Sequence, residues 1–184
     1  MRIFLDANVL FSAAKSAGAM RAMLELLLDS GHDCCVDAYV VEEARRNLAA
    51  KSSEALQALS GLLVRMQVAG AHPHRSADPA VLALPEKDRP VLEAAIRLRC
   101  DALVTGGRTH FGRLYGKTIE GVTIHSPRTL AVELLSCFSA PKHGWWSPWR
   151  AGDVMPRGRD GVQSSEWVRL LDCGISQIRV RGRA

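Results

Sequence analysis

A chain of 184 residues that is 47% hydrophobic suits one globular domain with a substantial core. Its formal charge of +5 is unevenly spread: residues 1–139 carry 16 Lys+Arg against 15 Asp+Glu, whereas residues 140–184 carry 8 against 4. Cys34, Cys35, Cys100, Cys137 and Cys173 form no CxxC pair, which argues against a zinc site, and their odd number argues against a closed disulfide framework.

The expectation is reduced, mostly buried thiols. No N-terminal signal pattern is read, and no stretch reaches the length needed to cross a bilayer; the protein is expected to be soluble and cytoplasmic.

In chain order, Ile3–Leu5 is a short apolar run ending at Asp6, and residues 19–29 place Met20, Met23, Leu24, Leu27 and Leu28 on one helical face. Asp33 to Val36 suits a second buried strand, after which helical periods run over residues 40–50 and 53–63. Val64, Met66 and Val68 alternate as a strand does, and residues 70–79 form a loop rich in His, Pro and Asp. A helix follows from Asp88, with Pro90 in its first turn and Val91, Leu92, Ala95, Ile96 and Leu98 on its apolar face. Ala102–Val104 and Val122–Ile124 read as strands. Ser126 and Pro127 make an N-cap and N1 pair for a helix over residues 128–135.

Strands separated by helices imply crossover connections, a mostly parallel sheet and helices on both faces. The fold class is α/β. Residues 140–184 differ in kind, holding all four tryptophans (Trp145, Trp146, Trp149, Trp167) with scattered Pro and Gly. They are read as a basic appendage that either packs through its tryptophans or stays disordered.

Ligands gather at the carboxyl ends of strands in an open parallel sheet, which directs attention to Asp6, directly after the first apolar run. An acid there either opens a turn or serves a site, and Asn8 would equally suit a helix cap. Asp88 stands where an N-cap is common, and Glu43 lies on a helix, where a glutamate is ordinarily a solvated surface residue. Each has a structural explanation when taken alone; together they fall where an acidic cleft would be.

The runs FLDANVLFSA, YVVEEARRNL, LPEKDRPVLEAAI and LVTGGRTHFGRLYG occur in that order. In order and spacing they resemble the PIN domain over residues 1–135, most closely the bacterial VapC-like toxin type. The resemblance implies a three-layer α/β/α sandwich over residues 1–139, and a ribonuclease whose acids hold Mg²⁺ or Mn²⁺. Carried over by position, the acids are Asp6, Glu43 and Asp88, with Asn8 and Thr105 as polar neighbours. It also implies RNA as substrate, a 5′ phosphate and 3′ hydroxyl as products, and a small antitoxin as partner. Carboxylates suit such ions, because hard divalent cations prefer oxygen ligands.

Glu43 is preferred to Glu42 mainly by register, since the family's acid directly precedes the run Ala44 to Leu48. Glu93, about 140° around the helix from Asp88, is expected to stay outside the cluster. The family usually places a further aspartate after the threonine and glycine that end the fourth strand, where this chain has Gly107. Asp101 lies at the wrong end of that strand to substitute. Thr109 and His110 are nearer, as a holder of metal-bound water and as an RNA contact or proton donor, and His110 beside Phe111 equally reads as a packing residue.

Arg45, Arg46, Arg89, Arg108, Arg113 and Lys117 would supply phosphate contacts, or form an ordinary solvated surface. Met20, Met23 and Leu27 would form a partner groove or a homodimer face if exposed, and core otherwise. Two functional readings stand: an endoribonuclease toxin of a type II toxin–antitoxin pair, or a PIN module that binds RNA or protein without cleavage.

Overall fold

The protein is described from a computed structural model over residues 1–50, 53–72 and 76–139. Side chains of residues 135–139 and everything in residues 140–184, including the tryptophan-bearing appendage, lie outside that description. A six-stranded sheet is flanked by helices. Its strands are β1 (Arg2–Leu5), β2 (Asp33–Asp37), β3 (Gln67–Ala69), β4 (Ala102–Val104), β5 (Thr118–Ile119) and β6 (Val122–His125), in the spatial order β3-β2-β1-β4-β6-β5. All neighbours pair in parallel except β5 with β6, which are antiparallel.

The central strands are short apolar runs because both of their faces are covered. Ile3, Phe4 and Leu5, and likewise Ala102, Leu103 and Val104, are fully buried. Around the sheet lie α1 (Ala7–Lys15), α2 (Ala19–Asp29), α3 (Ala38–Ala49), α4 (Ser53–Leu63), α5 (Pro79–Leu82), α6 (Arg89–Arg97), α7 (Arg108–Phe111) and α8 (Pro127–Ser139). Met23 and Leu27 of α2 belong to the core, with Met20 packed partly against it. They are therefore core rather than a partner face. Cys34, Cys35 and Cys100 are buried free thiols, as expected.

Three differences from the sequence expectation have physical causes. Helix α1 was not anticipated: Val9, Leu10, Phe11, Ala13 and Ala14 leave almost no polar stripe to mark a helical period. The alternation at Val64, Met66 and Val68 yields only the three-residue β3, because Val64 and Arg65 turn out of α4 and Val64 is 86% exposed. The elements α5, α7 and β5 have four, four and two residues, too few to carry a period.

From β1 the chain moves outward through β2 to β3, then returns to place β4 on the opposite side of β1. Connections from β1 and β4 thus leave in opposite directions, opening a crevice beyond their carboxyl ends. Asp6 directly follows β1, and Thr105 directly follows β4.

Candidate active site

Four aspartates occupy helix N-cap positions, where a carboxylate ordinarily accepts a backbone N–H. Two of them do so. Asp37 Oδ1 accepts from Val40 N at 3.0 Å before α3, and Asp78 Oδ1 accepts from Ala80 N at 2.7 Å before α5. Asp6 before α1 and Asp88 before α6 make no side-chain capping bond. Their carboxylates are directed elsewhere.

Asp6 is 7% exposed, and its Oδ2 accepts two side-chain hydrogen bonds, from Thr105 Oγ1 at 2.5 Å and Asn8 Nδ2 at 2.5 Å. Asn8 is therefore no cap: its Oδ1 accepts from Gly106 N at 2.8 Å, which fastens the start of α1 to the loop after β4. Thr105 Oγ1 accepts from Gly107 N at 3.0 Å, and Thr105 itself is held by Thr105 N to His125 O and by the Tyr115 hydroxyl to Thr105 O, both at 3.0 Å. Burial raises the Asp6 carboxyl to about 6, against the lowering effect of the Thr105 hydroxyl and the Ala7 and Asn8 donors, and the nearby charge of Glu43 raises it further.

Glu43 is half-buried on α3 and near enough to act on Asp6, whereas Glu42 is exposed and lines a separate groove with Ala38, Val41, Arg45, Ser60 and Val68. Arg45 faces that groove too, away from the acids. Tyr39, which the sequence reading passed over, links the parts of the site. Its hydroxyl donates to Lys87 O at 3.1 Å, and its own ionisation is raised first by burial, then by the charge of Glu43, with a smaller effect from Asp88. The signal available beforehand was its position four residues before Glu43, one helical turn away.

Asp88 reaches α7, where its Oδ2 lies 2.6 Å from His110 Nδ1. Arg108 and Thr109 are exposed on the same helix, and Arg108 is close enough to lower the ionisation of Tyr115. Arg89 is not available for phosphate, since its guanidinium donates to Leu84 O at 2.8 Å and Leu82 O at 2.9 Å. Asp101 lies at the far end of β4, accepting from Arg2 N at 2.7 Å, and Glu93 accepts from Ser76 N at 3.3 Å. Both lie outside the crevice, as the sequence implied.

Gly107 has φ −74°, which any residue can adopt. A Cβ there would lie 3.3 Å from Thr105 Oγ1 and 3.9 Å from Asn8 Nδ2, so a side chain at this position would stand beside the partners of Asp6. Among the described residues no three His, Cys, Asp or Glu side chains are gathered closely enough to form a metal cluster. The donor set nevertheless suits a hard divalent cation. It is all oxygen, and Asp6 is a buried carboxylate whose ionised form a nearby cation would stabilise. Mg²⁺ typically uses one or two carboxylates and retains water in its other positions.

A family model described as PIN domain matches residues 2–109. The chain belongs to the PIN domain family. A chain in the crystal structure of VapBC2 from Rickettsia felis, bound to a DNA fragment from their promoter, is similar at 17% identity and a TM-score of 0.49, over 68% of this PIN chain and 98% of that one. No curated protein matches. Among the described residues, no helix of this PIN protein is long and apolar enough to cross a membrane.

Proposed function

We propose that this PIN protein is a Mg²⁺- or Mn²⁺-dependent endoribonuclease, the toxin of a type II toxin–antitoxin pair, active in the cytoplasm and silenced by a small antitoxin. The observation that carries this reading is the contrast among the four aspartates: the two that leave their helices uncapped are the two that the family resemblance suggests as metal-holding acids. Asp6, Asp88 and Glu43 would hold the ion through carboxylate oxygens, with water completing its shell. When bound, the ion supplies a water of lowered pKa and neutralises charge on the phosphoryl oxygens.

The remaining roles belong to the protein. Thr105 and Asn8 fix one oxygen of Asp6, and Asn8 also fixes Gly106, so the ends of β1 and β4 form one rigid edge. Arg46, one helical turn beyond Glu43, and Arg108 are exposed and would supply phosphate contacts to an RNA strand. Thr109 is exposed at the same mouth and available to a metal-bound water.

The alternative, a module that binds RNA or protein without cutting, draws support from Gly107 and from the wide spacing of the acids. Cleavage of a mixed RNA pool with and without Mn²⁺ separates the two readings, using the full chain, Asp6→Ala, Asp88→Ala and Gly107→Asp. The nuclease reading expects metal-dependent cleavage that both alanine variants lose and that Gly107→Asp keeps or increases. Cleavage by Gly107→Asp alone would establish the binding module instead.

A further inference from the structure

The two uncapped aspartates are held differently. Asp6 has one oxygen fixed by two donors from its own network. Asp88 has no neighbour of that kind near α6; its only close partner among the described residues is His110, 22 positions along the chain, at the start of the other wall of the crevice. The two oxygens of Asp88 are not equivalent. Oδ2, the one facing His110, is closed off from solvent, while the side chain as a whole remains 20% exposed.

We infer that His110 is the positioning residue for Asp88, doing for the third acid what Thr105 and Asn8 do for the first. The imidazole, with Nδ1 2.6 Å from the buried oxygen, would hold that oxygen in place and leave the other for the ion. Metal-binding carboxylates depend on such outer partners, whose loss typically reduces affinity 10–100-fold. The arrangement also accounts for Gly107. The turn that lacks a carboxylate at its first position supplies the imidazole three residues later, from α7, which begins between them. His110 lies one residue past the span matched by the family model.

The inference rests on the metal-site reading proposed above, and its test keeps the two apart. Mn²⁺ binding to the full chain is measured by electron paramagnetic resonance for the wild type, Asp6→Ala, His110→Ala, His110→Asn and His110→Gln. The Asn side chain places its NH₂ near the position of Nδ1, whereas that of Gln reaches the position of Nε2. The expected result is an affinity lowered about 10–100-fold in His110→Ala, largely restored in His110→Asn and not in His110→Gln. Rescue by Gln in place of Asn, or unchanged affinity in all three variants while Asp6→Ala loses binding, would overturn the role of His110 alone. Equal Mn²⁺ binding by wild type and Asp6→Ala would overturn the metal-site reading, and this inference with it.

Discussion

Asp6 is an ionisable group kept in a place that costs stability. Its carboxyl lies at about 6 in the folded chain against an ordinary 3.8, so between those values the folded state binds more protons than the unfolded one. Stability from this group is therefore complete below about pH 4, falls as the pH rises toward 6, and stays lower above it by roughly 3 kcal/mol. Asn accepts hydrogen bonds from Thr105 and Asn8 through its amide oxygen without becoming charged. Asp6→Asn is thus expected to match the wild type in chemical denaturation at pH 4 and to exceed it by up to about 3 kcal/mol at pH 7. A variant less stable than the wild type at pH 7 would show that Asp6 serves the fold.

At the scale of the element, the same residue type in the same helix position does two jobs. Asp37 closes the first turn of α3 and lies 3.8 Å from the Arg97 guanidinium; Asp88 makes no such closure for α6. Asp37→Ala is expected to lose about 1–2 kcal/mol of stability, and Asp88→Ala distinctly less, while only Asp88→Ala reduces Mn²⁺ affinity. Urea unfolding paired with metal titration of both variants checks this, and equal stability losses would remove the distinction.

Much of this level was legible in the sequence. Residues 19–29, 53–63 and 102–104 take the boundaries that periodicity implied, and Ser126 caps α8 by accepting from Thr129 N at 3.1 Å. The failures have a common cause in local pattern. The nearly all-apolar α1 has no contrasting face, and a four-residue helix such as α7 has no period at all. Asp6 drew attention because it follows a strand directly, and Asn8 was suggested as its polar neighbour by the family resemblance. The contact between His110 and Asp88, and the part played by Tyr39, depend on how α3, α6 and α7 meet, which no local window contains.

Across the whole molecule, the strand order explains why distant residues share one crevice. The reversal between β1 and β4 brings Asp6 and Thr105 together across 99 positions, and the helices after β2 and before β4 carry Glu43 and Asp88 toward the same end. The most direct measurement of the account is the rate of Mn²⁺-dependent RNA cleavage by the full chain beside that of Asp6→Asn. Because that variant is expected to be the more stable of the two at pH 7, lost activity there does not come from lost structure. The account predicts cleavage by the wild type that requires Mn²⁺ and falls at least about 100-fold in Asp6→Asn; equal rates in the two proteins would contradict it.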